Sequence, residues 1–93
     1  MTEESIIREL QVEHAFGNEV KAFLQSNIGR YLISRAEAER AEALEALANA
    51  DPDNGKTIRT LQTSIRVVDH IQRWLAEAIS EGSEAARLLE DQG

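Results

Sequence analysis

The chain has 93 residues, a formal charge of −7, and no cysteine. The acidity argues against nonspecific nucleic-acid binding, which needs a surplus of lysine and arginine. The lack of cysteine removes disulfides, thiolate nucleophiles and cysteine metal sites, and suits a reducing cytoplasm. The start, Met1-Thr2-Glu3-Glu4-Ser5, is acidic and does not read as a secretory leader. No stretch approaches the roughly 20 apolar residues of a membrane span. With 42% apolar and 29% charged residues, the chain reads as one small soluble helical domain over 1–93.

Thr2 or Ser5 can cap a first helix, expected over about 3–16, with Glu3 and Glu4 set against its dipole. Ile6, Ile7, Leu10 and His14 follow at helical spacing. Gly17-Asn18 reads as a stop and restart, although Val12, Phe16, Val20, Phe23 and Leu24 carry a stripe through it and leave a kink open. The second helix is expected over about 19–49. Its first half is aromatic and branched (Val20, Phe23, Leu24, Ile28, Tyr31, Leu32); its second half is rich in Ala and Glu.

Asp51-Pro52-Asp53-Asn54-Gly55 is the strong turn signal, which places a turn at 50–55. A third helix follows over about 55–81, with Ile58, Leu61, Ile65, Val68, Gln72, Leu75 and Ile79 in alternating steps of three and four. Gly82-Ser83 reads as its end, and Ser83 as the cap of a short helix over about 84–91. The two long helices match, at roughly 46 and 40 Å. The expected fold is therefore all-α: a long antiparallel helical hairpin with short N- and C-terminal helices, assembled into an oligomeric bundle.

Folding about the turn pairs the Ala-rich stretch with Ile58–Val68 and the aromatic stretch with Gln72–Leu88. A second stripe on the third helix (Val67, Ile71, Trp74, Ala78) then exceeds what one partner helix covers. The expected self-association surface is Phe16, Val20, Phe23, Tyr31, Val67, Ile71, Trp74 and Ala78, since Trp and Tyr dominate binding hot spots. A charged face of Arg59, Arg66 and Arg73, with Glu37, Glu39 and Glu45, either meets a partner or pairs with itself. The internal pairs expected are Arg59 with Glu45, Arg66 with Glu37 or Glu39, and Asp69 with Arg73.

Catalytic and cofactor signals are missing. Gln11 and Val67 precede His14 and His70 by three residues, so neither histidine belongs to the Glu-x-x-His motif of di-iron bundles. None of the serines lies in a nucleophile elbow, and the glycines are isolated, so no phosphate-cradling loop is read. We expect a nonenzymatic chain with no cofactor.

The run Phe23-Leu24-Gln25-Ser26-Asn27-Ile28-Gly29-Arg30-Tyr31-Leu32, with Arg35-Ala36-Glu37, Asp51-Pro52-Asp53, Ile58, Leu61-Gln62 and Trp74-Leu75, resembles short helical proteins of tailed (podovirus-like) phages and prophages encoded near head and packaging genes. The resemblance spans about Val20 to Gly82. It implies a viral context, in the host cytoplasm or the virion, and carries over no functional residues. The function expected is oligomerisation in virion assembly or DNA packaging. The alternative is a small acidic inhibitor of a host defence or nucleic-acid-processing protein.

Overall fold

The computed structural model describes residues 2–92, and of Gln92 the backbone alone. Among the described residues there are three helices and no strand: α1 (Glu3–Gln25), α2 (Asn27–Ala48) and α3 (Gly55–Gln92). The protein is all-α. No helix is long and apolar enough to cross a membrane.

Each helix start has a side-chain cap. The Ser5 N–H donates to the Thr2 hydroxyl oxygen at 3.1 Å, and Glu3 and Glu4 occupy the first turn of α1. The Gly29 N–H donates to the Ser26 hydroxyl at 3.0 Å at the start of α2. The Thr57 N–H donates to Asn54 Oδ1 at 3.2 Å at the start of α3. These bonds satisfy amide donors that have no partner inside a helix. Between α2 and α3 the chain makes a tight turn over Asp51–Asn54 with Pro52 second. The Asn54 N–H reaches the Asp51 carbonyl at 2.9 Å, and the Asp53 N–H reaches Asp51 Oδ1 at 2.9 Å.

The helix boundaries differ from the expectation in two linked ways. Gly17-Asn18 does not interrupt α1, and Gly82-Ser83 does not end α3; both helices run straight through. There is no helix confined to 3–16, none over 19–49, and no separate one over 84–91. The matched pair of long helices becomes one of 22 residues and one of 38. The reason is mutual contact. A Cβ on Gly17 would lie 3.0 Å from the Gly82 Cα, and a Cβ on Gly82 would lie 2.9 Å from the Gly17 Cα. The two glycines face each other where α1 crosses α3, and they let the two backbones touch. Both are buried.

The true break comes at Ser26. Its backbone is extended (φ −72°, ψ 159°), and its hydroxyl donates to the Phe23 carbonyl at 2.6 Å while accepting from Gly29. One serine thus closes α1 and opens α2. A Cβ on Gly29 would fall on the carbonyl oxygen of Phe23, so glycine is required there by space alone.

Two cross-helix contacts set the geometry. Gly17 meets Gly82, and Arg40 Nε donates to Asp69 Oδ1 at 2.6 Å. Both α1 and α2 therefore run antiparallel to α3. From Gly17 to Arg40 the helical path is about 35 Å, while from Gly82 to Asp69 it is about 20 Å. The extra path stands off from α3 as an elbow at Ser26. The molecule is accordingly flat and open, with extents of 60 × 32 × 15 Å. Its longest dimension is the length of α3.

Openness leaves little interior. The buried apolar side chains among the described residues are Val20, Ala43, Val68 and Ala85, two of them alanines. The radius of gyration is 18.8 Å, whereas a compact chain of this length has about 12 Å. Exposed surface is 7010 Å², against about 5,400 Å² for a compact monomer of this mass.

Gly29→Ala is expected to cost about 3 kcal/mol or more by urea denaturation, because its methyl meets fixed backbone. Gly82→Ala should cost about 1–3 kcal/mol, the crossing being able to widen slightly. Helix propensity favours alanine at both sites by about 1 kcal/mol, so stabilisation by either change would contradict this packing.

Candidate interaction face

Most of the exposed apolar side chains share one placement. Phe16 directly precedes buried Gly17, Phe23 precedes half-buried Leu24, Ile28 precedes buried Gly29, and Leu32 precedes half-buried Ile33. On α3, Val67 precedes buried Val68, Ile71 precedes half-buried Gln72, and Trp74 precedes half-buried Leu75. A step of one residue rotates about 100° around a helix. Each of these side chains is therefore turned from its inward neighbour by the same angle in the same sense. Where the inward neighbour faces an antiparallel helix, that rotation brings the preceding residue to one side of the plate. Ile28 is outside this group, since Gly29 packs on the Phe23 carbonyl. The same position holds Glu19 before Val20, Glu42 before Ala43, Glu81 before Gly82 and Glu84 before Ala85. The residues that follow the same inward positions (Asn18, Gln25, Arg30, Ser34, Asp69, Arg73) are exposed and polar, and they occupy the other side. Leu44, after Ala43, and Val12 and Tyr31, which precede exposed residues, are large apolar exceptions.

Along α3 the apolar line is continuous: Val67, Ile71, Trp74, Ala78, Gly82, Ala85 and Leu89 recur at steps of three and four. Its C-terminal half is covered by α1, with Ala85 only 1% exposed and the Ala78 carbonyl beside Gly17. Its N-terminal half is bare, because α1 turns away at Ser26 before reaching it. Trp74 is 58% exposed there. A shallow groove of about 290 Å³ runs along this bare half, lined by Thr63, Arg66, Val67, His70, Ile71 and Trp74. The His70 ring stands edge-on to Trp74, with centroids 5.9 Å apart and planes at 80°. That contact holds the indole in place.

Of the residues expected at a self-association surface, Phe16, Phe23, Val67, Ile71 and Trp74 lie on this face. Tyr31, 63% exposed, sits beside it on the elbow. Val20 does not: it is buried in the α1 seam, one of the few core residues. Ala78 is half-buried where the covered and bare parts of the line meet. Val12, Ile28 and Leu32 are exposed apolar residues that the sequence reading did not select. Ile28 and Leu32 show the same signal as the others, a large apolar residue directly before an inward one.

The charged residues are arranged differently from expectation. The pairs of Arg59 with Glu45, of Arg66 with Glu37 or Glu39, and of Asp69 with Arg73 are not formed. Arg40 takes Asp69 instead, Arg73 approaches Glu77 at 3.9 Å, and Glu39 is held by Arg35 at 3.3 Å. Among the described residues, Arg59, Arg66, Glu37 and Glu45 have no ion-pair partner within 4.0 Å. The register explains this. The side chains that pair across the α2–α3 seam are Arg40 and Asp69, whereas the Arg59 guanidinium lies back over Gly55 and Arg66 lines a groove with Leu44 and Leu47 without reaching a carboxylate. Near the C-terminus Arg87 bridges Glu84 at 2.6 Å and Asp91 at 3.2 Å.

The hydrogen bond from Arg40 holds the Asp69 carboxyl below its ordinary value, and Asp69 in turn raises the Arg40 guanidinium. Both groups are solvent-exposed, so the pair fixes register more than it stabilises. His14 is half-buried, with Nε2 3.3 Å from the Asn18 amide nitrogen. Among the described residues no three of His, Cys, Asp or Glu are grouped as metal ligands would be. No family model, curated protein or solved structure matches the chain.

Asp69 binds its proton less readily folded than unfolded. Its contribution is thus complete above the ordinary aspartate value of 3.8 and fades as pH falls through the depressed one. Wild type should be more stable than Asp69→Asn at pH 6, with the gap in denaturation midpoint closing as pH drops below about 4. A gap that stays constant with pH would show that the ion pair is not its source.

Proposed function

We propose that this chain is a nonenzymatic helical protein that oligomerises through its aromatic face and serves virion assembly or DNA packaging in a tailed phage. The observation that carries the association is the missing core. A domain is normally built from two packed layers around a hydrophobic interior, and here one layer of helices buries four apolar side chains while leaving Phe16, Val67, Ile71 and Trp74 on its surface. Contiguous exposed apolar surface of this kind marks an interaction site. The viral setting rests on the resemblance across Val20 to Gly82, and it places the protein in the host cytoplasm with incorporation into the particle.

A second reading is favoured by the unpaired carboxylates of α2. Glu37, Glu42 and Glu45 are exposed, in a chain whose overall charge is −7. An acidic surface of this kind suits a basic site on a host enzyme, where it would act as an inhibitor.

Mass spectrometry of purified particles separates the two. The assembly reading expects the protein in intact virions, at a copy number that survives high-salt washing. Its absence from virions, together with a stoichiometric complex with one host enzyme that loses affinity steeply with salt, would transfer the conclusion to the inhibitor.

A further inference from the structure

We propose that the apolar face is closed by a second copy of the same chain, stacked face to face about a two-fold axis, so that the working unit is a two-layer dimer of six helices with its polar faces outward. This rests on the reading of the chain as a self-associating protein, and it specifies the partner, the surface and the stopping point.

Three observations on different links of the argument select a second copy. The first is area. The chain exposes 7010 Å², an excess of about 1,600 Å² over a compact monomer. Burying that excess on each of two chains gives about 3,200 Å² in total, inside the 2,000–5,000 Å² of obligate homodimers. The plate, 60 × 32 Å in outline, is large enough to provide it.

The second is composition. Phe16, Phe23, Val67, Ile71 and Trp74 are the exposed apolar groups of the face, Glu19 lies between Phe16 and Phe23, and Arg66 and the His70 ring line the groove beside Trp74. A face that carries both signs, Glu19 and Arg66, can meet a copy of itself without leaving an unpaired ion buried, which would oppose pairing strongly.

The third is sidedness. One side of the plate carries the large exposed apolar groups Phe16, Phe23, Val67, Ile71 and Trp74, and the other carries Asn18, Gln25, Arg30, Ser34, Asp69 and Arg73, with Leu44 as its large apolar residue. An isologous contact uses the same patch on both chains and is closed after two. With no second apolar side, nothing remains to add a third layer. The bare half of the α3 line, left open where α1 bends away, is then covered by the partner's layer, much as its other half is covered by α1.

Trp74 is the single tryptophan, so its fluorescence reports this surface alone. Sedimentation equilibrium and acrylamide quenching of wild type should give a two-chain mass with Trp74 shielded, the quenching constant rising several-fold on dilution through dissociation. Ile71→Glu should give a one-chain mass and open Trp74 to quencher. Ser34→Glu, on the other side, should leave mass and quenching unchanged. If Ile71→Glu unfolds, as circular dichroism would show, the wild-type quenching and mass still decide.

A monomer at tens of micromolar, a dimer in which Trp74 stays open, a mass beyond two chains, or an Ile71→Glu protein that remains a folded dimer would each overturn the proposal. The virion measurement is independent of these results. A monomer found in particles would remove only the dimer, whereas a dimer missing from particles would remove only the assembly role.

Discussion

The whole arrangement depends on two glycines touching. Gly17 and Gly82 bring the backbones of α1 and α3 into direct contact, each with no space for a Cβ against the other's Cα. This contact fixes where α1 lies along α3. Given that position and the Arg40–Asp69 pair at the other end, the chain between them is longer than the stretch of α3 it spans. The elbow at Ser26 follows, and so does the bare segment of α3 around Trp74. A larger residue at the crossing would set the helices at ordinary spacing and remove the constraint that makes the plate flat and open.

The missing core and the exposed aromatic face are two aspects of one economy of layers. Three helices lying in a sheet 15 Å thick bury only what falls between neighbours. Gln72 and Leu75 are half-buried in that seam, while Ile71 and Trp74, one residue earlier, are outside it. The amphipathic pattern of α3 is thus wider than its intramolecular contacts. It serves α2 with one stripe and α1 with another, and it continues past the end of α1. An apolar stripe without a partner in its own chain is the physical basis for assigning it one elsewhere.

Much of the fold was legible in the sequence. The all-α class, the turn at Asp51–Asn54 and the excess apolar stripe at Val67, Ile71 and Trp74 all come from local signals: helical spacing, turn chemistry and the count of faces one neighbour can cover. What misled was glycine. In a sequence Gly17-Asn18 and Gly82-Ser83 look like helix ends, because glycine favours caps. Their actual role is set by a neighbour distant in sequence, which local propensity cannot register. The real break lies at Ser26, with Gly29 closing against the Phe23 carbonyl, inside the stretch expected as one helix over about 19–49. Val20 was misplaced for a related reason: it belongs to the same amphipathic helix as Phe16 and Phe23, and only the crossing angle decides which of the three turns inward. The charged pairs were wrong in detail because a shift in register of a few residues exchanges every partner across the α2–α3 seam.

The crossing also joins the two ends of the chain in time. Residues are made from the N-terminus onward at about 5–20 per second. α1 is therefore complete long before Gly82, the residue it packs against, exists. Through that interval its seam, with Val20 and Leu24, has no partner in its own chain, and the α2–α3 unit alone can begin to pair. The last third of α3 then closes the molecule by docking on a helix that was finished first. A ribosome stalled before Gly82 would hold a nascent chain with its N-terminal helix uncovered, the form of this protein most exposed to proteases and to mispairing with a neighbour on the same message.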